Sequence, residues 1–279
     1  MQPTKLDYVD GKNLMEPGAL RIGASSIAGY FTFSAQFFKE LLHGDNGFTG
    51  STPSVLGTVV HYCLETYIKN DALDTAEINR YLQNQLYDVP DLDIEYIHLQ
   101  YPAMFMQAKN YLMTLNYEEA IAERFVMKEV RPGINIGGSI DLITRENGML
   151  IINDYKTTSA NSIASMTYNY ELQLLTYSNV LKLLGEKVSM IRTINITTNK
   201  TGRTGKTGNA LPDQASKIIV HERIITDEDW EKIDATFDIV SEAVEVYIAN
   251  PHLRGIIAQD RRVQGLKCLY TKFNDEEEI

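Results

Sequence analysis

Met149-Leu150-Ile151-Ile152-Asn153-Asp154-Tyr155-Lys156 is an aliphatic run that closes on an acid, an aromatic and a base. Read as a strand, it puts Asp154 and Lys156 on one face and Tyr155 on the other, because side chains alternate with a period of two. A lysine at the end of a buried strand needs a partner, since an unpaired charge there is costly. Just upstream, Ile134-Asn135-Ile136-Gly137-Gly138-Ser139-Ile140-Asp141-Leu142-Ile143 reads as a second strand ending in an acid. Thr144-Arg145-Glu146-Asn147-Gly148 reads as the hairpin turn between them. Asp141 and Asp154 then face each other on adjacent antiparallel strands. Hard carboxylate oxygens that converge in this way suit Mg²⁺ or Mn²⁺ rather than zinc. A cation beside them suits attack of water on a phosphodiester. The plain alternative is a surface hairpin with a solvated Asp and Lys, because a D-x-K triplet arises often by chance.

Two further blocks flank the hairpin. Gly57-Thr58-Val59-Val60-His61-Tyr62-Cys63-Leu64-Glu65 lies before it and Tyr170-Glu171-Leu172-Gln173-Leu174-Leu175-Thr176-Tyr177 after it. In this order the set resembles the PD-(D/E)XK nuclease superfamily, and within it the RecB-type exonuclease domain also seen in phage exonucleases. That domain carries G-x-x-x-H-x-x-L-E, G-x-I-D, D-Y-K-T and Q-L-x-x-Y. A weaker opening block, Ala24-Ser25-Ser26-Ile27-Ala28-Gly29-Tyr30, resembles its Ser-rich start. The resemblance implies Asp141, Asp154, His61 and the backbone carbonyl of Tyr155 as metal ligands, and Lys156 as the catalytic lysine. Gln173 and Tyr177 would orient that lysine or contact DNA. Some RecB-type members hold an iron–sulfur cluster on four cysteines; Cys63 and Cys268 do not supply that number, so no such cluster is expected.

The residues can also be read without the family. His61 and Glu65 are i and i+4 and share a helix face, so a histidine paired with Glu65 as scaffolding is the alternative to a ligand. Gln173 and Tyr177 have the same spacing, and their alternative is an ordinary packed helix face. In Glu123-Arg124-Phe125-Val126-Met127-Lys128-Glu129-Val130, alternation puts Glu123 and Glu129 on one side. Either acid can aim at the site, and the sequence selects neither.

Composition limits the remaining classes. An apolar share of 44% over 279 residues can bury a sizeable core, and no apolar run reaches the ~18 residues of a membrane span. Met1-Gln2-Pro3-Thr4-Lys5-Leu6-Asp7 lacks a basic-then-apolar signal. With two distant cysteines, a reducing cytoplasm is expected, and the resemblance implies that of a bacterial or phage-infected cell. The net charge of −11 opposes a simple DNA-binder, but the bases are clustered. The stretch 199–209 carries Lys200, Arg203 and Lys206 with three glycines and no acid. It is expected either to contact phosphates or to be a mobile hairpin loop. Arg254, Arg261, Arg262, Lys267 and Lys272 form a second basic region.

The expected architecture is α/β: a mixed central sheet flanked by helices, a restriction-endonuclease-like core in one domain, with a helical insert. Helices are expected over 25–42, 55–70, 75–86, 94–115, 162–184 and 226–250, and strands within 122–152 and 187–225. The insert, a lobe at about 71–117, would shape a DNA entrance. The expected function is a metal-dependent deoxyribonuclease, an exonuclease of DNA replication, repair or recombination. It would act with Mg²⁺ or Mn²⁺ on single- or double-stranded DNA with a free end. The alternatives are a structure-specific endonuclease of the same superfamily, an inactive DNA-binding or interaction module, and an unrelated acidic α/β protein matched by chance.

Overall fold

A computed structural model describes residues 19–32, 37, 38, 41, 50–73, 75–88, 92–159, 163–200 and 213–250. Among these, six strands form one mixed sheet. They are β1 (Leu20–Gly23), β2 (Tyr117–Arg131), β3 (Ile134–Glu146), β4 (Met149–Thr158), β5 (Met190–Thr197) and β6 (Ile218–Ile224). The helices are α1 (Ala24–Thr32), α2 (Thr52–Asn70), α3 (Thr75–Asp88), α4 (Ile94–Leu112), α5 (Tyr168–Leu183) and α6 (Asp227–Ala249). The order across the sheet is β1-β3-β4-β5-β6, with β2 also paired to β3.

Strand β3 organises the sheet. One of its edges pairs with β2 along almost its whole length. The other edge is shared: β1 takes 134–137 in parallel, and β4 takes 142–146 antiparallel. Between those two partners the edge forks, and Asp141 lies in the fork. Two glycines shape the strand before it. A Cβ at Gly137 would lie 2.1 Å from the Val126 carbonyl oxygen, so only glycine lets β2 and β3 approach there. Gly138, at φ +156°, leaves room for Tyr177, whose hydroxyl would sit 3.0 Å from an added Cβ.

The hairpin expected from the sequence forms, with a tighter turn. Both strands continue to Glu146 and Met149, so only Asn147 and Gly148 make the connection. Both have positive φ, 50° and 75°, as a two-residue hairpin turn requires. The helices begin where capping chemistry places them. Ser51 and Ser54 cap α2 reciprocally, with Pro53 in its first turn; Thr226 and Asp229 do the same for α6. The parallel β4–β5 pair is connected by α5, as a crossover demands.

Helices cover the sheet on both faces. Against one side, α1, α5 and α6 bury Ile27, Leu174, Val180, Ile233 and Val240 on Ile136, Ile140, Ile152 and Ile191. Against the other, α2, α3 and α4 bury Val59, Val60, Leu64, Ile97 and Met104 on Leu142, Tyr155, Ile194 and Ile196. Several boundaries differ from those read in the sequence. The strand region starts at Tyr117 rather than 122, and α5 starts at Tyr168 rather than 162, behind the Thr167 cap. Of the first expected helix, 33–36, 39, 40 and 42 lie outside the described residues, as do Arg203, Lys206, Cys268 and the basic region from 251 on.

Candidate active site

Asp141 is fixed by the backbone: the Tyr155 N–H donates to its Oδ2 at 2.8 Å. The same oxygen lies 3.4 Å from His61 Nδ1 on α2. The ring of His61 meets Tyr155 edge-on, with centroids 5.6 Å apart. Glu65 does not hold His61; it pairs with Lys69 along the helix.

Glu123 completes the cluster. Of the two acids that alternation allowed, Glu129 accepts from the Gly133 N–H at 2.8 Å and closes the β2–β3 turn. Glu123 lies midway between the registered pairs Ala122–Leu142 and Arg124–Ile140. Its φ of 51° is left-handed, which costs a non-glycine residue roughly 1–2 kcal/mol. This local twist of β2 accompanies a side chain aimed at the cleft. One donor atom each from His61, Glu123 and Asp141 falls within 4.8 Å of the others. Sequence reading named Glu123 but could not choose it, because strand periodicity carries no signal for a single left-handed residue.

Asp154 and Lys156 share a face as expected. Lys156 Nζ lies 2.8 Å from Asp154 Oδ2 and donates to Oδ1 at 3.0 Å. Oδ2 is buried and lacks a partner in hydrogen-bond geometry, so the close ammonium satisfies it by charge alone. From α5, Gln173 Oε1 accepts from Lys156 Nζ at 3.3 Å, and Gln173 Nε2 lies 3.5 Å from Asp154 Oδ1. The ammonium also sits 4.6 Å from the centroid of the Tyr170 ring. Tyr177, one turn along α5, is buried against Gly138 and bonded to Gln173. Both α5 residues therefore meet the site rather than an unrelated helix surface.

The electrostatics follow from crowding acids where water is scarce. Burial, then Asp141 and Glu65, push Glu123 up to about 7. Burial and the neighbouring Asp141 raise Asp154 to about 6, against the pull of Lys156. Burial works against His61 protonation, but Asp141 and Asp154 overcome it and lift the imidazole to about 8. Burial also opposes ionisation of Asp141, yet His61, Lys156 and the Tyr155 N–H hold it below its ordinary value.

These donors fit a hard divalent cation. Two carboxylates and an imidazole converge, and two of the three hold a proton more tightly than usual, as donors short of positive charge do. They line, or lie directly behind, a cleft of about 510 Å³ walled by Ser54, Thr58, Tyr81, Tyr155, Lys156 and Thr157. Of the three bases expected to meet nucleic acid, Lys200 alone is described. Its backbone pairs with Gln214 at the root of the 201–212 segment. Next to it, the Asn199 N–H donates to Gln100 Oε1 on α4 at 2.7 Å, which ties that root to the helical layer.

A family model described as the PD-(D/E)XK nuclease superfamily matches residues 21–261. Among solved structures, the chain is similar to a candidate exonuclease from Eubacterium rectale. The two are 13% identical, with 90% of this chain and 88% of that one covered at a TM-score of 0.52. It is also similar to LHK-Exo in complex with dAMP, at 11% identity, with 75% and 96% covered and a TM-score of 0.34. The first likeness is one of fold; the second is too distant to carry an argument. No curated protein matches the chain in sequence.

Proposed function

This chain belongs to the PD-(D/E)XK nuclease superfamily, and from that premise we propose that it is a metal-dependent DNA exonuclease. Its restriction-endonuclease-like α/β core and its membership make it a nuclease, a hydrolase of nucleic-acid phosphodiesters. The observation that supports metal dependence is the convergence of His61, Glu123 and Asp141 within 4.8 Å beside the cleft that Lys156 also lines. Those three residues would hold Mg²⁺ or Mn²⁺, with Asp154 and the Tyr155 carbonyl beside them. The bound ion would polarise the phosphate and lower the pKa of a water.

The remaining chemistry belongs to the side chains. Water attacks phosphorus and gives up a proton to solvent, the P–O bond to the departing sugar oxygen breaks, that oxygen takes up a proton from solvent, and negative charge grows on the phosphoryl oxygens. Lys156 is cationic at neutral pH: burial opposes its charge, but Asp154 more than offsets this and raises its pKa. Its ammonium lies where it can stabilise the growing charge. Asp154 and Gln173 hold that ammonium in one place, so little reorganisation is needed during reaction. Asp141, anchored to the Tyr155 N–H, keeps His61 turned toward the cleft.

Action at a free end, and a role in replication, repair or recombination, are the biological reading of this chemistry. Lys200, Arg203 and Lys206 would contact the DNA backbone. The test is digestion of linear and circular, single- and double-stranded DNA with Mg²⁺, Mn²⁺ or EDTA. Metal-dependent loss of linear DNA only is expected. Cutting of circles would make the protein an endonuclease, and no cutting with either metal would reduce it to a binding module.

A further inference from the structure

We propose that Tyr62 and Tyr81 form a nucleobase-stacking subsite beside the scissile phosphate, so that the substrate enters as an unpaired strand. This rests on the nuclease reading above and adds the form of the substrate to it. The two rings are parallel within 3°, with centroids 4.1 Å apart. Both line the same cleft as His61, Glu123 and Lys156. The slab is pinned, because the Tyr62 hydroxyl donates to Glu77 Oε1 at 2.6 Å. Ile78 and Leu82, each 3% exposed, bury α3 against the core, while Tyr62 and Tyr81 pack at its edge and stay partly open.

The cleft joins two chemistries. Beside the tyrosines stand Glu65, paired with Lys69, and Glu123, which belongs to the proposed metal site. The cleft also offers the hydroxyls of Ser54, Thr58 and Thr157 and the ammonium of Lys156. Gly57 lets α2 lie close to Thr157; a Cβ there would come within 2.9 Å of its Oγ1. With the scissile phosphate at the metal donors and Lys156, the adjoining base would lie toward the Tyr62–Tyr81 pair, which lines the same cleft. An aromatic face takes any base, so the subsite selects strandedness rather than sequence. A base stacked inside a duplex has no face free for the pair.

The test uses the full chain and two readouts. In the first, a single-stranded oligonucleotide with 2-aminopurine at its terminal nucleotides is titrated with protein in EDTA. Stacking should quench the emission with wild type and with Tyr81→Phe, and much less with Tyr81→Leu. In the second, kcat/KM with Mn²⁺ is compared for single strands bearing an ordinary or an abasic terminal nucleotide. Wild type should favour the ordinary nucleotide by about tenfold, as base–aromatic stacking implies. That ratio should collapse toward one in Tyr81→Leu and Tyr62→Leu and survive in Tyr81→Phe. Equal quenching in wild type and Tyr81→Leu, or a ratio that Tyr81→Leu leaves intact, overturns the subsite. No cleavage of any DNA overturns the nuclease reading instead, and the fluorescence arm still decides whether a base stacks.

Discussion

His61 Nδ1 lies 3.4 Å from Asp141 Oδ2, although two helices and a strand separate α2 from β3 in the chain. The contact joins a helix on one face of the sheet to the fork in β3. It also sets the proton inventory of the site, because Asp141 and Asp154 raise His61 to about 8, and Glu123 beside it stands near 7.

Metal binding should therefore release protons. At pH 7 the metal-free site holds a proton on His61 and shares one on Glu123, and a bound cation displaces both. Apparent Mn²⁺ affinity should rise with pH up to about 8 and then level. Calorimetry at pH 7 in buffers of different ionisation enthalpy measures the protons released. Heats that do not depend on the buffer would mean that neither group is a ligand.

Stability of the metal-free protein should move the other way. His61 has a folded pKa above its ordinary 6.5, so its contribution is full below 6.5 and lost as pH rises through 8. Glu123 and Asp154 also bind protons more tightly when folded, with values raised from 4.5 and 3.8 to about 7 and about 6. The folded state therefore loses stability from these acids as pH climbs from about 4 to 7. Asp141, lowered, contributes above its unfolded value instead. Melting in EDTA should show a falling Tm from pH 5 to 8.5, with Mn²⁺ raising Tm most at the alkaline end. A flatter profile is expected for Glu123→Gln.

Glu123 separates site from scaffold. Glu123→Gly removes a carboxylate crowded by Asp141 and also relieves a left-handed backbone. Metal-free stability should rise by about 1 kcal/mol, while the cleavage rate falls on the order of a hundredfold. Asp141→Asn should lose activity to a similar degree without the gain in Tm. If Glu123→Gly is less stable and fully active, Glu123 is not part of the site.

Lys156→Ala should abolish most cleavage yet still bind Mn²⁺, since the ammonium is no ligand. It leaves Asp154 buried without its cation, a loss of about 2–3 kcal/mol when ionised. Protonation relieves that charge, so the loss should be larger at pH 8 than at pH 5. A variant that folds normally but no longer binds Mn²⁺ would assign Lys156 a different role.

Gly137→Ala probes the fork in β3. The new Cβ would meet the Val126 carbonyl oxygen at 2.1 Å, which backbone cannot avoid without opening the β2–β3 ladder. The destabilisation should be about 3 kcal/mol or more, read as a fall in chemical-denaturation midpoint. A wild-type midpoint would mean that the two strands separate there at little cost.

By itself the sequence determined the elements whose signals are local. The β3–β4 hairpin was legible because alternation and a Gly-bearing turn both act over a few residues, although the turn expected over 144–148 is closed by Asn147 and Gly148 alone. So were the start of α6, expected at 226 and found at Asp227, and the shared face of Asp154 and Lys156. Only the tertiary structure decided which donors meet. Glu123 and Glu129 are equivalent by period, and a single left-handed residue in β2 separates them. His61 could equally have paired with Glu65, its neighbour on the helix. It faces Asp141 because Val59, Val60 and Leu64 dock α2 on the sheet through the residues beside it. Spacing along a chain fixes which side chains share a face of one element; which faces then meet is fixed by burial of apolar surface over the whole fold.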